Sequence, residues 1–167
     1  LSFFMCGINP IDLFFLKKEI DKDKRVSFTR TKIDSKKENR VKMTIQPEAM
    51  DIINRYASAP DCEYMLMFEN KYVSYEVFKS FLSKKIREIA KLTGLTGLTL
   101  YWARYSWATI ADSLDIQEKT ISKGLGHTDK SLAGSTYIAF DWSRVDDANR
   151  KVIDFVLNRT EKVGQPG

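Results

Sequence analysis

Apolar residues recur at two different spacings along this chain. The segments "RVSFTRTKI" and "NRVKMTIQP" alternate between apolar and polar residues, which predicts two strands, and the polar "DSKKE" between them supplies a turn. Elsewhere apolar residues return every three or four positions, which predicts helices. We therefore expect a mainly α-helical protein with one small antiparallel β-sheet, an α+β fold that includes a β-hairpin.

The predicted helices begin at residues that suit a helix start. Asn9 and Ser74 can cap a helix, and Pro10 and Pro47 suit a first turn. The predicted helices cover "NPIDLFFLKKE", Pro47 to about Tyr56, Ser74 to about Leu92, "LYWARYSWATIADSL" from Thr99, residues 117–123, residues 130–138, and a last helix that is capped by Asp141 or Ser143 and runs to about Asn158. We expect "YMLMF" to be a short buried strand or loop.

Apolar stripes predict which helix faces are buried. In the helix that follows Pro47, Met50 and Ile53 are expected on the inner face, with Ile52 as a further candidate. The long helix that follows Ser74 has a stripe of seven apolar residues: Val77, Phe78, Phe81, Leu82, Ile86, Ile89 and Ala90.

Length and composition are those of one folded domain. The chain has 167 residues, of which 43% are hydrophobic and 12% aromatic, enough to bury a core. The apolar run at residues 1–16 is too short to span a membrane, and no basic segment precedes it as in a signal peptide. Because the chain begins with Leu1, we expect it to be a piece of a longer protein. Two cysteines are too few for a disulfide framework, which favours a reducing cytoplasm.

Positive charge is concentrated around the predicted hairpin. The formal net charge is +5, and residues 17–42 alone hold eleven Lys and Arg against five Asp and Glu. This surplus of six exceeds the net charge of the whole chain, which favours a polyanionic partner such as DNA. A solvated, lysine-rich hairpin is the alternative. The candidate DNA-binding residues are Lys36, Lys37 and Arg40.

The residue pattern argues against several catalytic chemistries. A metal-dependent nuclease would need carboxylates or histidines at ligand spacing, whereas this chain has one histidine, His127, and scattered acidic residues. It contains no phosphate-binding loop of the GxxxxGK type, and no serine stands out as a partner for His127 in a Ser-His-Asp arrangement. We expect neither a metal nor a cofactor.

A tyrosine nucleophile with basic helpers is the chemistry that the residues permit. A phenol has an ordinary pKa of about 10, so it needs nearby cations or must lose its proton as it attacks. Arginine and histidine donors can stabilise the charge that develops on a phosphodiester, and a lysine can protonate the sugar oxygen that leaves.

Three motifs carry a resemblance to a known family. "YWARYSWAT", "GLGHTD" and the following "STYIAFD" resemble the box II region of tyrosine recombinases, the phage and transposon integrases, and most of all integrases of Bacteroides-type mobile elements. The motifs stand in the expected order, and the resemblance covers nearly the whole chain. It implies the tyrosine recombinase catalytic-domain fold over residues 1–167, with the family's amino-terminal core-binding domain absent.

The resemblance implies a role for each matching residue. Arg104 matches the family's second arginine, in the pattern R-[HY]-S-[WF]-A-T, and His127 matches the histidine of "LGH". Tyr137 is at the position of the nucleophile, and "TRTKI" resembles the hairpin segment that carries the family's lysine, here Lys32. The implied activity is site-specific DNA recombination, in which Tyr137 forms a 3′-phosphotyrosyl bond that a 5′-hydroxyl from a partner strand reverses.

Two positions depart from the family pattern. The family usually has histidine or lysine three residues before the second arginine, where this chain has Tyr101, whose neutral phenol can donate one hydrogen bond. "CGINPIDL" aligns Asn9 with the family's first arginine. Side chains two apart on a strand share a face, so we expect Arg30 to supply the missing charge beside Lys32. Arg40, on the opposing strand, is the alternative source.

The resemblance also implies partners. They are a double-stranded DNA recombination site and further copies of the chain, which would be a monomer when free and a tetramer on DNA. In this family the segment after the tyrosine commonly packs on a neighbouring protomer. We expect the last helix to dock in trans on DNA, and in cis or loosely in the free monomer, through an apolar stripe: Val145, Ala148, Val152, Ile153 and Val156.

Two other interpretations stay open. "IADSLDIQEKTISKGLG" can form the helix-turn-helix of a non-catalytic DNA-binding protein, although it lacks the usual glycine in the turn. A degenerate recombinase that keeps only its assembly contacts would account for Asn9 in place of an arginine.

Overall fold

A computed structural model describes residues 1–31, 40–127 and 139–163, with side chains as far as residue 158. This part of the chain is mainly helical and contains one two-stranded antiparallel sheet, which confirms the predicted α+β composition. After a short 3-10 helix at Phe3–Met5, the elements in order are α1 Pro10–Phe14, β1 Arg25–Thr29, β2 Arg40–Thr44, α2 Pro47–Arg55, α3 Phe68–Lys71, α4 Tyr75–Thr93, α5 Trp102–Ser113, α6 Glu118–Gly124 and α7 Ser143–Val163.

The two strands pair in antiparallel fashion from Arg25 opposite Thr44 to Thr29 opposite Arg40. One face of the pair is apolar and buried, while the other face carries the polar side chains. The buried side chains on the apolar face are Val26, Val41 and Met43.

The first strand is shorter than its sequence pattern predicts. It ends at Thr29, and the backbone N–H of Thr31 donates to a side-chain oxygen of Asp12 at 3.0 Å instead of continuing the ladder. The predicted turn at residues 34–38 and the predicted helix at residues 130–138 lie outside the described residues.

A buried polar bridge crosses the centre of the core. The fully buried indole of Trp107 on α5 donates to Asn149 Oδ1 on α7 at 2.9 Å. The Asn149 amide in turn donates to the backbone oxygen of Phe4 at 2.8 Å. This pair of bonds joins α5, α7 and the amino-terminal 3-10 helix.

The last helix is part of the core of its own chain. The side chains of Val145, Ala148, Val152 and Ile153 are buried, and α7 packs on α5, α6, β2 and the 3-10 helix. Asp146, in its first turn, accepts from Arg25 Nε at 2.7 Å and from the backbone N–H of Thr44 at 2.6 Å. The apolar stripe of α7 therefore packs in cis in the single chain.

Two helix predictions are corrected in detail. The first helix ends at Phe14 because the next residues pair elsewhere: the backbone oxygen of Leu16 accepts from Met65, in the buried "YMLMF" segment. Asn9 is at the N-cap position, yet its side chain makes no capping hydrogen bond. In α2 the buried residues are Ala49 and Ile53, which are four apart on one face, and Met50 is exposed.

The fourth helix has the predicted cap but not the predicted burial. Ser74 Oγ accepts from the backbone N–H of Val77 at 3.4 Å, and the helix ends at Gly94 with φ +70°. Phe78 is its one buried residue, whereas Phe81, Leu82 and Ile86 border an open groove of about 610 Å³ that the start of α5 also lines. No helix in the described residues is long and apolar enough to span a membrane.

Candidate functional site

Arg104 points from α5 into the protein and joins two loops. Its side chain is buried, and Nη1 donates to the backbone oxygen of Gly7 at 3.1 Å. Nη2 donates to the backbone oxygen of Leu125, at the end of α6. Gly7 has φ +68°, and a Cβ there would lie 2.6 Å from the Arg104 Cα, so only glycine fits. Arg104 therefore fixes the start of the chain against the segment that precedes His127.

Arg30 reaches the same segment from the hairpin. Its Nη1 donates to the backbone oxygen of Gly126 at 3.3 Å, whereas its buried Nε has no hydrogen-bond partner among the described residues. Gly126 has φ +64°, and a Cβ there would lie 2.5 Å from Arg30 Cδ and 2.6 Å from Val41 Cγ2. The absence of a side chain at Gly126 thus makes room for the arginine.

His127 comes directly after this contact. Its backbone N–H donates to the backbone oxygen of Ser122 at 2.9 Å, which attaches His127 to the last turn of α6. Its side chain is exposed. Partial desolvation lowers the pKa of His127 below its ordinary value, and the positive charges of Arg104 and Arg30 lower it further. The imidazole is therefore mostly neutral at pH 7 in the free protein.

The two arginines also affect each other. Burial lowers the pKa of Arg104, and the charge of Arg30 lowers it further, while the Tyr101 phenol and Asp12 partly offset these effects. The Arg104 guanidinium stays charged at neutral pH because the ordinary pKa of arginine is far higher. The chain thus brings two cations and a histidine together from three separate segments.

Asp12 holds the hairpin end of this cluster in place. Its carboxylate is buried in α1, and Oδ1 accepts from both the backbone N–H and the hydroxyl of Thr31, at 3.0 and 2.9 Å. Thr31 is the neighbour of Arg30, so Asp12 fixes the backbone from which that arginine extends. Sequence reasoning missed Asp12, and its one signal was an acidic residue in a short apolar helix.

Tyr101 lies beside the cluster at the start of α5. Its ring is half exposed and packs edge-on against Tyr105, with ring centroids 4.8 Å apart. Asn9 is buried at the start of α1.

Arg40 is on the other face of the hairpin. Its Nη2 donates to Ser27 Oγ at 3.0 Å, and both residues border a polar pocket between the hairpin and the end of α1. The structure therefore brings together Arg104, Arg30, His127 and Tyr101, and it places Arg40 apart from them. Four predicted site residues lie outside the described residues: Lys32, Lys36, Lys37 and Tyr137.

The proposed helix-turn-helix corresponds to α5 and α6. The turn contains Asp115 in the left-handed region, with φ +55°, where such turns usually have glycine. In the seven-residue α6, Thr120, Ile121 and Gly124 are buried, and the exposed residues include Glu118 and Lys119. The exposed part of α6 thus offers charges of both signs to a DNA groove.

In residues 1–31, 40–127 and 139–163, no group of three or more His, Cys, Asp and Glu side chains is arranged to hold a metal ion. No protein-family model matches this chain, and no curated protein and no solved structure matches it either. The function is therefore inferred from the residues and their geometry alone.

Proposed function

We propose that this chain is the catalytic domain of a site-specific tyrosine recombinase and has the catalytic-domain fold of that family. The observation that carries the proposal is the convergence of Arg104 and Arg30 beside His127. Placing like charges close together in a partly desolvated site is unfavourable unless an anion binds there. A DNA phosphodiester fits the basic hairpin, the donors and the motifs in which these residues occur.

In the proposed reaction, the Tyr137 oxygen attacks the phosphorus of a DNA phosphodiester. The bond to the 5′-oxygen breaks as the 3′-phosphotyrosyl bond forms, and the tyrosine loses its proton to solvent. Lys32 protonates the departing 5′-oxygen, while the arginines and His127 donate to the non-bridging oxygens. A neutral His127 still has one N–H to donate, and Tyr101 offers a further O–H.

The second half of the reaction reverses the first. A 5′-hydroxyl of the partner strand attacks the same phosphorus and gives its proton to Lys32, while Tyr137 leaves and takes up a proton from solvent. Because each bond broken is replaced by one of the same kind, the exchange needs no ATP. Asn9 contributes at most a neutral hydrogen bond where the family has an arginine.

The decisive experiment traps the covalent intermediate. The protein is incubated with a nicked suicide site, from which the short cleaved fragment diffuses away, and a protein–DNA band is sought on a denaturing gel. We expect a band that disappears in Tyr137→Phe and persists in the control Tyr72→Phe. Specific DNA binding without a band would support the helix-turn-helix or the degenerate recombinase instead.

The proposed DNA contact predicts a strong dependence on salt. If the hairpin and α4 contact about five phosphates, log affinity should fall with log salt at a slope of about −4 to −5. Replacing Lys36 and Lys37 by alanine should flatten the slope by about one to two units. The control is Lys17→Ala, because Lys17 already pairs with Glu63. An unchanged slope in the double variant would mean that the hairpin charges are only solvated.

The proposal also predicts the oligomeric state. Sedimentation should show that the protein is a monomer when free and a tetramer on DNA.

A further inference from the structure

Two exposed tyrosines stand four residues apart at the start of α5. Tyr101 is 44% exposed and Tyr105 is 64% exposed, so their contact is not part of the core. Their ring centroids are 4.8 Å apart with the planes at 76°, the edge-to-face arrangement that aromatic pairs prefer. This contact orders two side chains that solvent would otherwise leave free to change rotamer.

One member of this pair faces the candidate site. Tyr101 lies one helical turn before Arg104, whose backbone N–H donates to the Tyr101 backbone oxygen at 3.1 Å, and the phenol raises the pKa of that arginine. The Arg104 guanidinium itself is buried and donates to the backbone oxygens of Gly7 and Leu125. Tyr101 is the N-cap residue of α5, and its ring is 44% exposed. The ring of Tyr105, one turn later, is in contact with the Tyr101 ring and can keep the phenol on the side of the helix that carries Arg104.

We propose that Tyr105 is a positioning residue: its ring holds the Tyr101 phenol against Arg104, where the Tyr101 hydroxyl can donate to a phosphate oxygen. This inference rests on the proposed recombinase function. It explains how a tyrosine can serve at position 101, where the family usually has histidine or lysine. A phenol on a single flexible side chain gives a useful hydrogen bond only if its direction is fixed before the substrate arrives.

The test measures cleavage of pre-bound suicide substrate at saturating protein, so that affinity does not contribute. An aromatic pair of this kind predicts that Tyr105→Leu slows cleavage by about 2- to 10-fold, whereas Tyr105→Phe keeps the ring and the rate. In a Tyr101→Ala background, Tyr105→Leu should have no further effect. The control is Phe81→Leu, which removes an exposed ring on α4 whose centroid lies 5.5 Å from that of Tyr72, and it should leave the rate unchanged.

Three results would overturn the inference. The first is an unchanged cleavage rate in Tyr105→Leu. The second is that Tyr105→Leu lowers the rate as much in the Tyr101→Ala background as in the wild type. The third is a Tyr105→Phe variant as slow as Tyr105→Leu. The first would show that the ring contact is irrelevant to the reaction, and the other two would show that Tyr105 acts directly.

A measurement on the DNA-free protein separates this inference from the proposed function. Proton NMR of selectively labelled tyrosine should show Tyr101 ring signals that are shifted by the neighbouring ring and that move in Tyr105→Leu. Unmoved signals would overturn the positioning contact even if the protein cleaves DNA. Moved signals in a protein that forms no covalent band would mean that the contact exists and the recombinase proposal fails.

Discussion

Arg104 and Gly7 approach each other so closely that position 7 has no room for a methyl group. The Gly7 carbonyl accepts from the Arg104 guanidinium at 3.1 Å, and a Cβ at Gly7 would lie 2.6 Å from the Arg104 Cα. The glycine therefore both holds the arginine and allows it to be buried.

Alanine substitutions at three glycines should separate close packing from backbone strain. Gly7, Gly126 and Gly94 all have φ between +64° and +70°, but a Cβ at Gly94 would meet nothing within 4 Å. Gly94→Ala should lower the free energy of unfolding by about 1–2 kcal/mol through backbone strain alone. Gly7→Ala and Gly126→Ala should lower it by about 1–3 kcal/mol more. Urea denaturation is the measurement, and equal losses at all three positions would contradict the close approach.

Arg30 and Arg40 form a matched pair of hairpin arginines. Arg30 extends to Gly126 beside His127, whereas Arg40 binds Ser27 on the opposite face. With pre-bound suicide substrate, Arg30→Ala should slow cleavage by roughly 100-fold, the effect of losing one donor to the transition state. Arg40→Ala should change affinity but not the cleavage step, and Asn9→Ala should cost less than about tenfold. Cleavage by Arg30→Ala at the wild-type rate would remove Arg30 from the site.

The hairpin could be predicted from the sequence, whereas the position of Arg30 beside His127 could not. Alternating residues correctly predicted the hairpin, because a buried apolar face requires that period. The same alternation was extended through Arg30 to Lys32, but β1 ends at Thr29, since Asp12 binds the N–H of Thr31. The approach of Arg30 to His127 thus depends on a carboxylate 18 residues earlier in the chain, a contact that no local pattern encodes.

His127 should titrate below its ordinary pKa in the free protein. It is the chain's one histidine, so its ring signal in an NMR pH titration is unambiguous. Partial desolvation, Arg104 and Arg30 all lower its pKa, so the midpoint should lie below about 6.5. Between the two pKa values the unfolded chain binds more protons, so the free energy of unfolding falls as pH falls through this window and is unaffected above it.

Two variants check the origin of this shift. Arg30→Ala should move the His127 midpoint upward, because one of the two positive charges is removed, and Arg40→Ala should leave it in place. Binding of a DNA oligonucleotide should also raise the midpoint. A midpoint at or above 6.5 in the free protein would show that the two guanidiniums do not act on the ring.

Asn149 should be far more important to stability than its polar side chain suggests. Asn149→Ala leaves the buried Trp107 indole N–H and the Phe4 carbonyl without their partner. The free energy of unfolding should fall by about 2–4 kcal/mol, whereas Asn158→Ala on the exposed end of the same helix should change it by less than about 0.5 kcal/mol. Denaturant unfolding measures both, and similar losses would contradict the bridge.

Deletion of residues 143–167 should unfold the protein rather than affect assembly selectively, because α7 carries Asn149 and four buried apolar side chains of the core.

The apolar stripes show a second limit of sequence patterns. Ser74 caps α4, as the sequence predicted. Helical periodicity correctly identified four buried residues of α7, but Val156 is only half-buried and the buried Asn149 was missed. It could not tell that α4 buries Phe78 alone, because periodicity reports which residues share a face and not what covers that face.

The proximity of Arg104, Arg30 and His127 affects how the stabilities of the protein and its variants should be compared. A solute that binds the folded chain but not the unfolded chain raises the free energy of unfolding by mass action, by about 2.7 kcal/mol at a concentration 100 times its dissociation constant. The melting temperature rises as a result. Phosphate and sulfate carry the charge that this cluster would accept, so the choice of buffer anion becomes a variable in every melting curve. Stabilities of variants at these three positions are comparable only when measured at one fixed concentration of the same anion.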